Sequence, residues 1–544
     1  MGENFHNPVA EWVWQTRYRR SPGGTPEAGP VQTMARVARA VAAQERDPAL
    51  WTTRFVALLA GFRFLPGGRI LAAAGTPADA TLLNCFVMGR LADAPLRLFR
   101  ALGEGAHTLR LGGGVGWDFS TLAPQGTPLG RGLVAPGPVA CLDLWNVACG
   151  AVTAGSSRGG AMMASLSVAH PDVAAFVEAK AQPGVLERFN LSVQVTDAFM
   201  AAVASDAAWP LAGRARGRSA DTPAKAIPAR ALWTRMLRAM LGGSEPGLLF
   251  TDTINRENAL WWRESLATTN PCGETPLPPY GACCLGSVNL AQHLGPDGSV
   301  DWEKLRWSVQ LSTIFLDDVV EANAYVPAVP QLAVAAHQAR RIGLGIMGLG
   351  DLMYHAGIRY GSTDGQEFGA QVMEFVRYVA MQTSIELARQ RGAFPAIQGS
   401  IYDPQNLSWQ PPQSIIAYTQ NFGRPEVDWR KVLQGIQSVG IRNAAQTTIA
   451  PTGTIATVAG CEGYGCEPVF ALAYIRHVND KGKDLQLAYA SPLFEQALSE
   501  TGLSADERQE IIDQVMRAGS CQEVIDLPKA VRNIFVVSQD ISAE

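Results

Sequence analysis

Asn270, Cys272 and Glu274 place an amide, a thiol and a carboxylate on alternate residues of the run Asn270-Pro271-Cys272-Gly273-Glu274. In an extended segment alternate side chains share one face, so all three can point at a single substrate. A helix would not gather them, because residues two apart do not face each other. Pro271 and Gly273 break regular structure and suit the tip of a loop. A carboxylate placed there can act as a general base, and the thiol beside it can react. The same five residues could also be a polar turn around a buried cysteine. The remaining chain must supply partners for this face if it is to do chemistry.

The elements that would position it are those of a large globular chain. With 544 residues, 47% hydrophobic and 17% charged, there is ample material for an extensive core. A formal net charge of −4 gives no nucleic-acid footprint. The apolar stretch from Trp145 to Ala154 is too short to span a bilayer, and the N-terminus has no apolar leader. Neither nucleic acid nor membrane is therefore expected as a partner. Nine scattered cysteines suit a reducing cytoplasm and favour catalytic over structural thiols.

Along the chain, Met34, Val37, Ala38 and Val41 fall on one helical face, and Phe55, Leu58 and Leu59 on another, with a break at Asp47-Pro48. These predict a helical N-terminal domain over residues 1–66, with an α/β domain over 67–544. Residues 81–88 suit a buried strand, and 94–111 a helix leading into the glycine row 112–116. The Pro/Gly-rich stretch 124–138 and the basic stretch 213–230 both predict loops, the latter a solvated insertion. Further helices are expected over 232–241, 309–322 and 366–391. Gly343-Leu344-Gly345-Ile346-Met347-Gly348 has the G-x-G-x-x-G spacing, but the helix-like run before it argues against a dinucleotide site. Cys461 and Cys466 lack a matching pair of zinc spacing and suit packing, so no metal site is expected. Pro451-Thr452-Gly453-Thr454-Ile455 follows a helix-like segment. Such a turn can aim N–H groups at an anion, particularly where a helix begins at its end.

Several segments in order, LLNCFVMG, GGGVGWDFSTL, SSRGGAMMASLSVAHPD, FNLSVQVTDAFM, NPCGETPLPPYGACCLGSVNL and APTGTIATVAGCEGYGCEPVF, together resemble the catalytic chain of ribonucleotide reductases. The form Asn-Pro-Cys-Gly-Glu is similar to the adenosylcobalamin-dependent class II enzymes. The resemblance runs from about Asn7 to Glu544. It implies a ten-stranded α/β barrel of two five-stranded parallel halves, with the opening stretch at the tip of a central finger loop. It assigns Cys272 as the thiyl radical, Glu274 as the base on the ribose 3′-hydroxyl and Asn270 as a hydrogen-bonding partner of the sugar. Cys85 and Cys283 become the dithiol that reduces the 2′ position. Asn84, Gly114 and Pro451, Thr452, Gly453, Thr454 and Ile455 match positions that hold the nucleotide. The chemistry independently wants these types: a sulfur radical can take and return a carbon-bound hydrogen, and loss of the 2′-hydroxyl needs a proton and two electrons.

The resemblance further implies a ribonucleoside-diphosphate substrate, adenosylcobalamin as cofactor, a deoxynucleotide effector, a thioredoxin-type reductant and a homodimer in the cytoplasm. Two features depart from the family pattern. Ala123 stands where an arginine usually holds effector phosphates, so charge-assisted control is weakened there; Asp93 matches an effector-contacting acid if one residue is inserted after Cys85. The family's C-terminal cysteine pair is also missing, so the chain is expected to be a fragment, or half of a split enzyme whose second polypeptide brings the cysteine tail. A class I-type chain needing a separate radical-generating subunit and an inactive nucleotide-binding remnant remain as alternatives. The intact set of five catalytic types argues against the remnant.

Overall fold

The computed structural model describes residues 5, 7–21, 24–130, 132–153, 160–212, 225–480 and 483–543. Most of the basic stretch expected as a loop, 213–224, lies outside the described residues. Its end does not remain a loop: Lys225–Pro228 is a strand paired antiparallel with Ala208–Leu211.

Helices α1 (Pro8–Val13), α2 (Pro30–Ala42) and α3 (Pro48–Leu59) form the N-terminal layer, each opening with proline in its first turn. The expected break before Pro48 is a cap, in which Asp47 accepts from the Leu50 amide at 3.0 Å. The apolar faces read from the sequence are buried, with Val37, Val41, Phe55, Leu58 and Leu59 fully enclosed.

One curled sheet of eight strands carries the rest. In chain order these are β1 (Phe64–Pro66), β2 (Cys85–Val87), β3 (Gly114–Asp118), β4 (Met162–Ser167), β5 (Phe189–Val195) and β6 (Gly247–Phe250). Two more short strands, β7 (Thr268–Thr269) and β8 (Pro276–Leu277), form a separate hairpin. The sheet resumes with β9 (Ala282–Asn289) and β10 (Ile342–Met347). Strands β2 to β6 pair in sequence order, all parallel. Parallel neighbours need long crossovers, here supplied by helices such as α4 (Pro95–Arg110) and α5 (Gly137–Thr153). This is the expected five-stranded half.

The second half runs the other way. Strand β9 is antiparallel to β2 and to β1, and parallel to β10. Beyond β10 the sheet continues only as a parallel bridge from Leu344 to Thr447. The described residues therefore place eight strands in this sheet where ten were expected. The G-x-G-x-x-G run is itself β10, preceded by α7 (Gln331–Ala339), in keeping with the rejection of a dinucleotide site.

Two local expectations change. The Pro/Gly-rich stretch after Ala123 folds back as a small hairpin, Pro128–Gly130 against Leu133–Val134, because Gly130 and Gly132 accept positive φ. The segment 440–450 before Pro451 is irregular rather than helical. Helix α8 (Trp429–Val439) stops at Gly440, whose φ is +77°. Asn443 then donates to Asp317 and to the Arg340 carbonyl, both at 2.9 Å. Asp317, on α6 (Trp302–Ala322), is fully buried and also receives Arg340 at 2.9 Å and Arg442 at 3.3 Å. Surrounded by these donors, the buried carboxylate fixes where β10 begins and where the chain enters 443–448.

The hairpin β7–β8 is threaded into the curl of the sheet. A two-stranded hairpin is marginal alone, so it must borrow support from its surroundings. Ser165 of β4 donates to the Ala267 carbonyl at 3.2 Å, and Thr268 donates to the Trp117 carbonyl at 3.4 Å. Close approach requires a bare backbone opposite: a methyl group at Gly116 would collide with the Thr269 carbonyl oxygen. Gly116→Ala is therefore expected to unseat the hairpin, costing about 1–3 kcal/mol of stability and most of the activity. Chemical denaturation and a turnover assay check this; a variant as stable and active as wild type would show that the hairpin has slack.

Candidate active site

The tip of the hairpin is a turn, as Pro271 and Gly273 imply, so the three side chains do not share one extended face. The Gly273 amide donates to the Asn270 carbonyl at 3.1 Å, closing a four-residue β-turn. Asparagine first, proline second and glycine last are what such a turn favours, and Gly273 has φ +89°. The turn still unites two of the three groups, by a different route. Asn270 and Glu274 flank it, and the Asn270 side-chain amide donates to Glu274 Oε2 at 2.7 Å. Asn270 Oδ1 in turn accepts from the Thr275 amide at 2.9 Å, which fixes the orientation of the side chain. Cys272 stands out at the tip, open to solvent.

Cys85, the first residue of β2, completes the group. It receives Asn270 Nδ2 at 3.2 Å and donates toward Glu274 Oε1 at 3.8 Å. Cys283 lies directly opposite Cys85 in the antiparallel pairing of β2 and β9. Facing positions in such a ladder stand roughly 4.5–5.5 Å apart at Cα, inside the range of about 4.4–6.8 Å that a disulfide spans. Both thiols are free and buried. Around them Val87, Leu277, Leu285 and Ala450 form a small apolar cluster. Cys284, one residue on, faces the main core instead and is a packing thiol, as its alternate position requires.

These surroundings set the protonation states. Burial pushes the Cys283 thiol up to about 12, with the Glu274 charge adding to it. Cys85 is raised for the same two reasons, together with its sulfur neighbours. Crowding by protein atoms, then Glu274, pushes Cys272 up to about 11 although its surface is open. Burial raises Glu274 above the ordinary carboxyl range, and the hydrogen bond from Asn270 partly offsets it. The site thus holds three protonated thiols beside a carboxyl group poised to take or hold a proton. That set suits hydrogen transfer better than thiolate attack.

The nucleotide-binding expectations fall around this centre. The Asn84 carbonyl accepts from the Gly114 amide at 2.7 Å, and a methyl group on Gly114 would press on Pro271 at 2.9 Å. Gly114 therefore has a packing role beside the finger. Residues Pro451 and Thr452 lead into α9 (Gly453–Ala459); Thr452 is left-handed, with φ +57°, and its hydroxyl accepts from the Gly465 amide at 2.8 Å. Gly453 has open space at its side-chain position, while Ile455 is buried. The turn joins the finger through Thr448, whose hydroxyl donates to the Glu274 carbonyl at 2.8 Å. Asp93 lies elsewhere, with both carboxylate oxygens near 3 Å from the Ala123 amide, in a cleft of about 1000 Å³.

Three supporting residues were not singled out from the sequence. Asn190 of β5 donates to the Pro271 carbonyl at 2.6 Å, and Thr448 holds the other side of the turn. Gly343 leaves room for the Cys283 sulfur, which a methyl group there would approach to 2.9 Å. Asn190 sits inside FNLSVQV, where a polar residue in a strand was the available signal. Gly343 sat in plain view within a motif judged only for dinucleotides.

The ribonucleotide reductase all-alpha domain matches residues 4–79, and the ribonucleotide reductase barrel domain matches residues 83–544. The chain belongs to the ribonucleotide reductase large-chain family. It is 37% identical over 528 residues to the vitamin B12-dependent ribonucleoside-diphosphate reductase of Mycobacterium tuberculosis (strain CDC 1551 / Oshkosh), covering 96% of this chain and 69% of that one. A protein of the same name from Thermoplasma acidophilum is 34% identical over 497 residues, covering 91% and 58%. The ribonucleoside-diphosphate reductase subunit alpha of Chlamydia trachomatis is 27% identical, covering 94% and 51%. The chain thus spans between about half and about two thirds of these relatives' lengths.

The raised thiols give a direct check. With Cys272 at about 11, roughly one molecule in a thousand carries its thiolate at pH 8, so alkylation is slow and rises about tenfold per pH unit from 8 to 10. Peptide mapping after iodoacetamide should show Cys272 labelled well ahead of Cys85 and Cys283; equal labelling of the three would contradict this arrangement.

Proposed function

We propose that this chain carries the reaction centre of an adenosylcobalamin-dependent ribonucleoside-diphosphate reductase in the cytoplasm. The observation that carries the reading is the convergence of Asn270, Glu274 and Cys85 within hydrogen-bond reach, with Cys283 facing Cys85 across the strand pair. The names of the relatives support the choice of cofactor and of a diphosphate substrate.

Cys272 fits the cofactor in the one respect that matters for the chain: it is an exposed thiol that retains its hydrogen. Adenosylcobalamin, when bound, supplies the one-electron chemistry that turns Cys272 into a sulfur radical. That sulfur takes the ribose 3′-hydrogen, while Glu274 accepts the 3′-hydroxyl proton and Asn270 holds the sugar hydroxyls. Cys85 gives a proton to the departing 2′-hydroxyl, which leaves as water. The pair Cys85 and Cys283 gives up two electrons and becomes a disulfide, and Cys272 finally returns its hydrogen to C3′. One ribonucleotide and two thiols yield one deoxyribonucleotide, one disulfide and one water. Asn84, Gly114 and residues Pro451 to Ile455 hold the nucleotide and its phosphates.

Both sulfurs of the pair are buried, so a folded thioredoxin-type reductant cannot touch them. This supports a slim cysteine-bearing tail, on this or a second polypeptide, as the intermediary. In the cleft beside Asp93, Arg97 is a cation that can meet effector phosphates where Ala123 cannot. Leu96 and Phe99 on α4, Leu129, Leu133 and Val134 on the neighbouring hairpin, and Leu144 and Val147 on α5 are exposed. Such a patch on adjoining elements supports a homodimer.

Anaerobic incubation with adenosylcobalamin, a ribonucleoside diphosphate and dithiothreitol tests the central reading. Deoxynucleotide is expected from wild type and none from Cys272→Ser, which should still bind substrate within about twofold. Cys283→Ala should start the reaction but release free base. Turnover that ignores adenosylcobalamin and requires a separate radical-generating protein would overturn the cofactor assignment. For the dimer, Phe99→Asp with Val147→Asp should give a monomer in sedimentation equilibrium; an unchanged dimer would place the interface elsewhere.

A further inference from the structure

Tyr18 lies at the other end of the chain from the phosphate turn, yet the two meet. Its hydroxyl donates to the Thr454 hydroxyl at 2.5 Å across 436 residues of sequence. Thr454 is the second residue of α9, and helix α1 packs directly against α9.

The placement of Tyr18 is over-determined. Residues Trp14–Tyr18 form a π-helical turn continuing α1, closed by the Arg19 amide donating to the Trp14 carbonyl at 2.9 Å. Such widened turns carry an extra residue and recur at functional sites. Trp14 is anchored by its ring nitrogen donating to Thr33 at 3.0 Å, and Thr33 donates to Glu27 at 2.6 Å. Glu27 is ion-paired at 2.7 Å with Arg36, which also reaches the Tyr18 carbonyl at 3.5 Å. The Tyr18 side chain is 1% exposed, so its hydroxyl has little freedom to point elsewhere.

We infer that Tyr18 is a positioning residue for the substrate phosphates, acting through Thr454. A threonine hydroxyl is both donor and acceptor, and an anion needs only the donor. By donating to Thr454 Oγ1, Tyr18 fixes the position of that hydroxyl at the start of α9. The helical N-terminal layer thereby reaches into a site otherwise built from the sheet and the finger. This inference rests on the reading of residues Pro451 to Ile455 as the phosphate-holding turn.

The test is equilibrium dialysis of the full chain with cytidine diphosphate and, separately, cytidine. Tyr18→Phe keeps the ring and is expected to weaken cytidine diphosphate about tenfold and cytidine less than twofold. In a Thr454→Ala background the same change should add less than twofold, because its route of action is gone. Thr454→Val with Tyr18 intact should also lose about tenfold, and Thr454→Ser should retain affinity. Equal losses in both backgrounds, or equal losses for cytidine, would mean that Tyr18 only supports packing. Normal diphosphate affinity in Tyr18→Phe or in Thr454→Val overturns the inference alone. A wild type that binds neither ligand overturns the phosphate-turn reading along with it.

Discussion

A hairpin cannot pass through the middle of a sheet unless the strands it passes have nothing in the way. That steric condition shapes this protein more than any single bond. Gly114 and Gly116 clear one wall of the passage, and Gly343 clears space at the other for the sulfur of Cys283. At Gly116 the clearance is backbone against backbone, and the finger is held beside it by hydroxyl-to-carbonyl bonds with β3 and β4. The turn at its tip can then be spent on polar groups, which a packed core would not tolerate unpaired.

Everything at the site comes from far apart in sequence. Cys85 opens the first parallel half, Cys283 opens the second, and Asn270 and Glu274 arrive on the finger between them. The turn at Pro451 to Ile455 is delivered by a segment whose path is fixed by the buried Asp317 cluster. Such long-range assembly explains the protonation pattern. Bringing Cys85, Cys283 and Glu274 together inside the curl removes water from them, so each holds its proton harder than it would alone.

Much of this was legible in the sequence, and the limits follow from physics. Helix periodicity and the Asp47-Pro48 break located α2 and α3, since local capping decides such boundaries. The five reactive residues Asn270, Cys272, Glu274, Cys85 and Cys283 were legible through the family resemblance, the pairing of the two cysteines included, whereas no local pattern encodes the strand register that sets Cys85 opposite Cys283. The turn at Cys272 was legible in Pro271 and Gly273, but the single face expected of Asn270, Cys272 and Glu274 is not formed, because the turn sends Cys272 outward. The stretch before Pro451 looked helical and is irregular, since Asn443 finds its partners on distant elements. The contact from Tyr18 to Thr454 had no local signal at all.

The facing of Cys85 and Cys283 has a mechanical side. Strands β2 and β9 are the seam at which the two halves of the sheet, running in opposite directions, are sewn together. A bond between those sulfurs would act as a rivet through that seam, closing a loop that contains the whole first half and the finger. On the proposed chemistry each catalytic cycle therefore alternates between a hinged and a riveted scaffold. The spent form would be the more rigid of the two, and re-reduction would release the joint as well as recharge it.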